Sequence, residues 1–161
     1  MDEAAPPAPP PSEDAENPAT FEKVIAKLKE HSAEYSVLEH APVKTSAEAA
    51  AIRGVTLASG AKAMLVKNGA TKGLAAGIPF ILAVMSASRR FSWKLLKKSI
   101  ESKKLNMAEA AEVKEVTGCI SGAVPPFGSV FGVPTVVDES LLEQGDTINF
   151  NAGLRTRSVH M

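Results

Sequence analysis

The sequence predicts an α+β fold, with helices and strands that follow one another without a regular strand-helix-strand alternation. Three observations point there. Apolar residues recur at helical spacing in short windows, most clearly Phe21, Val24, Ile25 and Leu28 at i, i+3, i+4 and i+7. Apolar runs from Ala61 to Val66, Ala75 to Met85 and Thr135 to Val137 are bounded by Gly, Pro and Asn, as strands are. No internal repeat is visible that would make the chain a solenoid.

Thr20 stands where it could cap the first helix, whose single apolar stripe packs one face on the core. A short extended piece follows at Tyr35 to Leu38. Thr45, Ser46, Ala47 and Glu48 have the form of a capping box, in which threonine and glutamate side chains each satisfy a backbone N–H, and Gly54 stands where that helix would stop. Ala61 to Val66 reads as a strand. Lys67, Asn68 and Gly69 then supply turn chemistry before the run Ala75 to Met85, which predicts a hairpin. Ser92 could cap a helix with Trp93, Leu96 and Ile100 on one stripe, and Ala108 to Val116 is a further helical pattern ended by Gly118. Thr135 to Val137 and Thr147 to Phe150 read as the last strands.

At 161 residues, 45% of them apolar, the chain has room for one domain with a single core. Residues 1–20 hold six of the eleven prolines and five acids with no basic residue, which predicts a disordered tail ahead of a domain over 21–161. Without the tail, 18 Lys and Arg face 13 acids, a balance of about +5 that suits an anionic partner such as RNA without establishing one. Arg89, Arg90, Lys94, Lys97, Lys98, Lys103 and Lys104 fall within sixteen residues holding one acid, Glu101. They make either a solvated helix face or a phosphate-contacting surface. One cysteine, Cys119, excludes an intrachain disulfide and agrees with a reducing compartment. No apolar run reaches the length of a membrane span and no secretory signal is visible, so a soluble, cytoplasmic protein is expected, with neither membrane nor DNA as partner. His31, His40 and His160 are dispersed and no cluster has metal spacing, so neither a metal nor another cofactor is expected.

The segment from Gly118 to Gly128 sets a glycine-proline loop between a helical pattern and an apolar run. Glycine lets backbone N–H groups approach a ligand and proline fixes φ, so such a loop presents main-chain groups rigidly; it can equally be a turn and nothing more. Its wider setting resembles the YbaK-like family of aminoacyl-tRNA editing domains. Gly122, Ala123, Val124, Pro125 and Pro126 match that family's glycine, three residues, proline loop, and Val133 to Asp138 follows it. Ser59 to Lys67 looks like the family's lysine-bearing strand, and Ile148 to Leu154 with Thr156 to Ser158 looks like its closing strand and turn. The resemblance spans Phe21 to the C-terminus. It implies a mixed, partly barrel-like sheet flanked by helices, and hydrolysis of amino acids wrongly attached to tRNA.

On residues alone, Lys62 shares a strand face with Met64 and Val66, and a lysine there more often reaches water along its stem than serves a site. The resemblance implies more, because Lys62 occupies the family's essential position: its ammonium would orient the ester end of an aminoacyl-tRNA and stabilise charge developing on the carbonyl oxygen. It likewise implies that the backbone of Gly122 to Pro126 holds the aminoacyl group and an attacking water, assisted by the terminal ribose hydroxyl of the tRNA. No Ser, His and acid arrangement argues for a nucleophilic triad. Cys119 reads as a small buried residue and is assigned no catalysis. Asp138 could orient a polar group in the site or cap a helical turn. Asn151 and Gly153 either approach the pocket or only shape the closing turn. Arg89, Arg90, Lys94, Lys97 and Lys98 are the candidates for tRNA contact.

The leading function is thus a hydrolase that clears alanine or cysteine from tRNA for proline, since a synthetase pocket cannot reject some small side chains by binding alone. Prolyl-tRNA synthetase would be a partner in cis or in trans. The loop, with its doubled proline, differs from the glycine-pair version of cysteine-removing members. The alternative is a non-catalytic module that recruits tRNA or a synthetase, with the proline-rich tail as a tether. A lysine kept at position 62 favours activity.

Overall fold

The computed structural model describes residues 16–161. Most of the expected disordered tail lies outside the described residues, but its last five do not. Glu16 accepts the Arg155 N–H at 2.8 Å, and helix α1 (Ala19–Glu30) begins ahead of Thr20. Thr20 therefore does not cap that helix. It is buried within the first turn, and its hydroxyl donates to the Thr117 carbonyl at 2.9 Å.

The other start and stop signals act as the sequence predicts. Thr45 and Glu48 form the capping box of α2 (Ser46–Arg53), which ends on Gly54 at φ +67°. Ser92 Oγ accepts the Leu95 N–H to start α3 (Trp93–Ser99), and α4 (Ala110–Thr117) ends on Gly118 at φ +69°. Glycine reaches this left-handed conformation without the clash a Cβ would bring.

The described strands make two sheets. β1 (Ser36–Glu39) is the edge of the first, in which β7 (Arg157–His160) lies between it and β6 (Asn149–Leu154), all antiparallel. The second has the order β4-β2-β3-β5, with β2 at Ala61–Asn68, β3 at Phe80–Ser86, β4 at Leu105–Met107 and β5 at Thr135–Val137. β5 runs parallel to β3 and the remaining pairs are antiparallel. The second sheet is mixed, as expected, but the two described sheets do not close into a barrel. They touch through a parallel bridge between Gly60 and Asn149.

β2 and β3 form the expected hairpin around a different connection. Asn68 is the last residue of β2 and is buried; its side-chain amide donates to the carbonyls of Ala75 and Ile78, each at 2.7 Å. The chain between the strands is a loop folded back onto that amide rather than a tight turn. Alternation along β2 divides the core: Ala61 and Leu65 join Leu82, Val84, Val24 and Phe150 on one side. Val66 joins Ile81, Ala83, Leu96 and Ile100 beneath α3 on the other.

Candidate functional site

A cavity of about 600 Å³ opens where the two sheets meet. Lys44, Thr45 and Arg53 line it from the α2 region, Lys62 and Met64 from β2, Asn149 and Asn151 from β6, and Ser121, Gly122 and Val124 from the loop. Lys44, Arg53 and Lys62 are its cations. No Asp, Glu or His belongs to the lining among the described residues.

The loop is held from behind by β6. Asn151 Nδ2 donates to the Gly122 carbonyl at 2.7 Å, and the Gly153 N–H donates to the Ala123 carbonyl at 2.8 Å. β6 can do this because its register with β7 breaks between Asn151 and Leu154, which releases the Gly153 N–H from the ladder. Gly153 also has φ +93°, and a Cβ there would lie 3.0 Å from Thr20 Cβ and from the Phe21 nitrogen. Ala123, Val124, Pro125 and Pro126 are buried, and Phe127 meets Phe150 edge to face at 5.3 Å. The Ala123 N–H is spent on the Ile120 carbonyl. Those of Gly122 and Val124 have no acceptor among the described residues.

Arg53 enters the site only through the structure. Its Nε donates to Ser158 Oγ at 2.7 Å and its Nη2 to Asn151 Oδ1 at 2.6 Å, so Arg53, Asn151 and Gly122 form one bonded chain. Ser158 is buried, and its hydroxyl lies 2.6 Å from His40 Nε2. His40 Nδ1 faces the Ala41 carbonyl at 2.8 Å; a carbonyl only accepts, so in the neutral ring Nδ1 carries the proton. Ser158 then donates to His40 and accepts from Arg53. Burial pushes the Arg53 pKa down to about 10, which leaves the guanidinium charged at neutral pH. In sequence, an arginine in the last turn of a helix reads as a complement to the helix dipole. Its partners lie 98 and 105 residues further on.

The sequence model of an aminoacyl-tRNA editing domain matches residues 40–161, the span that holds Arg53, Lys62, the loop and β6. The chain belongs to the aminoacyl-tRNA editing domain family. It is therefore an aminoacyl-tRNA deacylase, an ester hydrolase, which decides between the catalytic and the binding-only readings. The multifunctional Ser/Thr-tRNA deacylase ProXp-y of Escherichia coli K12 is 34% identical over 151 residues, 92% of this chain and 86% of that one. The crystal structure of the hypothetical protein APE2540 superposes with a TM-score of 0.72 at 26% identity, covering 86% of this chain and 87% of the other. A candidate trans-editing enzyme for prolyl tRNA synthetase shares the fold with a TM-score of 0.73 at 22% identity, over 88% and 85% of the two chains.

Within this editing domain, Lys62, Gly122, Val124 and Asn151 of the predicted residues line the cavity. Lys62 is exposed and its ammonium has no hydrogen bond or ion pair among the described residues. Ala123, Pro125, Pro126 and Gly153 stand behind the lining and shape the loop. Asp138 does not line the cavity. It is exposed and caps the 3-10 turn Glu139–Gln144, accepting the Ser140 N–H at 2.9 Å. The Ser140 side chain beside it and the Ser140 N–H it accepts, with Arg89 nearby, hold its carboxyl below the usual range. Of the basic segment, Arg89 faces Glu143 at 3.6 Å, Arg90, Lys94 and Lys98 are exposed, and Lys97 lines a separate hollow. Cys119 is buried, and burial pushes its thiol pKa up, as suits a packing residue. No cluster of three or more His, Cys, Asp or Glu suited to a metal stands among the described residues, and no helix among them is long and apolar enough to cross a membrane.

Proposed function

We propose that the cavity hydrolyses the ester of a misacylated tRNA by holding its carbonyl between Lys62 and the Gly122 loop, with water as the nucleophile. One observation carries this reading: three cations and two unspent backbone N–H groups gather in a lining without carboxylate or imidazole. Such a site stabilises negative charge and offers no general base of its own. When water adds to an ester, that charge develops on the carbonyl oxygen. The Lys62 ammonium and the N–H groups of Gly122 and Val124 are donors for it, and Asn151 with Arg53 sets where the loop stands. The proton then passes from the attacking water through the terminal ribose hydroxyl beside the ester to the ribose oxygen that leaves, so the amino acid and the free tRNA form without a protein base.

Serine and threonine are the first amino acids for this site. The curated relative acts on Ser/Thr-tRNA, and Thr45, Thr56 and Ser121 are hydroxyl-bearing residues of the lining. Alanine or cysteine on tRNA for proline, with prolyl-tRNA synthetase as partner, is the second reading; the small apolar wall of Ala61, Ala63 and Val124 favours it.

The test is a panel of tRNAs charged separately with serine, threonine, alanine, cysteine and cognate proline, given to wild type and to Lys62→Ala. Release of serine or threonine but not proline, abolished in the variant while tRNA binding persists, is expected. Release of alanine or cysteine alone would select the second reading. Full activity in Lys62→Ala would remove the lysine from the mechanism, and no release from any substrate would overturn the proposal.

A further inference from the structure

A second basic feature lies outside the cavity. Lys67, Lys97, Lys103 and Lys104 line a hollow with Asn68, Gly69, Leu105 and Asn106. Lys67 is already matched, at 2.6 Å from Glu112. The ammonium groups of Lys97, Lys103 and Lys104 have no ion pair or hydrogen bond among the described residues, and no acid belongs to the lining. Glu101 and Glu109, both exposed, are the acids nearest in sequence, and Glu112 is the one paired with Lys67, on which Glu109 also acts. Three like charges converging without a counterion repel one another, and an anionic partner relieves that cost.

The floor beneath them is built. Asn68 Oδ1 accepts the buried Ser102 hydroxyl at 2.7 Å and the Ala70 N–H at 3.1 Å, and Ser102 Oγ in turn accepts the Lys104 N–H at 3.3 Å. These bonds tie the lysine-bearing segment to the end of β2.

Position identifies the partner. Asn106 and Met107 are consecutive residues of β4, an edge strand, and both are exposed. Asn106 lines the hollow and Met107 lines the catalytic cavity. Along β2 the same two features are marked by Lys67 and Lys62, five residues apart and thus ~17 Å at the rise of a strand. Side chains alternate along a strand, and the pairing of Val66 with Met107 and of Lys67 with Asn106 puts Lys62 and Met107 on one face of the sheet and Lys67 and Asn106 on the other, so a nucleic-acid strand whose 3′ end sits at Lys62 reaches the three lysines by passing around the exposed β4 edge. We infer that Lys97, Lys103 and Lys104 form a docking surface for the phosphate backbone of the tRNA acceptor arm, separate from the catalytic cavity. The inference rests on the editing reading of that cavity.

The experiment uses the triple variant Lys97→Gln, Lys103→Gln, Lys104→Gln, with Lys23→Gln, Lys27→Gln, Lys29→Gln on α1 as a control of equal charge. Each is assayed on full-length seryl-tRNA, on a CCA trinucleotide carrying the same ester, and for binding of uncharged tRNA. For the first variant, kcat/KM on full-length substrate should fall about tenfold or more, and the slope of log affinity against log salt should flatten by about 2, since each phosphate contact contributes ~0.7–0.9. Turnover of the trinucleotide should not change. Equal losses on both substrates, an equal loss in the control, or unchanged binding and kinetics on tRNA would overturn the inference, the last leaving an acidic protein surface as the partner. If wild type hydrolyses neither substrate, the editing reading fails, and the binding assay still decides the docking surface.

Discussion

Asn151 reaches across from β6 to the loop and donates its amide to the Gly122 carbonyl at 2.7 Å, while its own carbonyl oxygen receives Arg53 at 2.6 Å. One side chain therefore couples a helix end, a strand and the loop that borders the cavity. Asn151→Ala should lower kcat for deacylation about 100-fold, the order of loss that follows a small misplacement of reacting groups. tRNA affinity should change little. Single-turnover assays with a parallel binding curve read both, and a loss confined to KM would contradict the positioning role.

Arg53→Lys keeps the charge but not the planar fork that reaches two acceptors. Its kcat should fall in the same direction as that of Asn151→Ala. The double variant should be no worse than Asn151→Ala alone, because both changes break one chain of bonds. Additive losses in the double-mutant cycle would mean that Arg53 acts on the substrate independently of Asn151.

Gly153→Ala tests the break in the β6 register. The added methyl meets Thr20 and Phe21 in a backbone conformation of φ +93°, and strain of this kind costs ~1–3 kcal/mol. Thermal unfolding should drop by several degrees, with activity falling alongside as the Ala123 carbonyl loses its donor. An unshifted Tm would show that β6 and α1 can move apart freely.

Glu48 gives a pH dependence with a definite sign. Its carboxylate accepts the N–H groups of Lys44 at 2.8 Å and Thr45 at 3.3 Å, and these bonds hold its pKa below the usual 4.5. A carboxylate depressed in the folded state stabilises that state above its unfolded pKa and loses the contribution as pH falls through the folded value. Wild type should therefore exceed Glu48→Gln in Tm at about pH 7, and the gap should narrow as pH falls below the usual 4.5 and through the depressed folded value. A gap that persists unchanged in acid would assign the stabilisation to the shape of the cap rather than its charge.

Legibility in the sequence followed the range of the interaction. The capping box at Thr45 and Glu48, the glycine stops at Gly54 and Gly118 and the strand from Ala61 are decided by residues a few positions apart, and a linear reading finds them. Thr20 and Asn68 misled for one reason: both are good local cap or turn formers, but each spends its side chain on a distant or folded-back carbonyl. Lys62 and Gly122 stood out through the motifs around them. Arg53 did not, because nothing near it in sequence hints at Asn151 or Ser158. β4 and β7 lack the run of β-branched residues that marks the short β5, so nothing local distinguishes them as strands.

β6 grips the loop by the carbonyls of Gly122 and Ala123, groups that every amino acid possesses. Where the loop stands and what it displays are therefore encoded by different parts of the chain. Val124 borders the cavity but contributes no side-chain bond to that grip. Residues there can be exchanged in the course of evolution, or by an engineer, to admit another aminoacyl group while the reacting geometry stays in place. A scaffold of this kind can diversify its substrates without being rebuilt for each one.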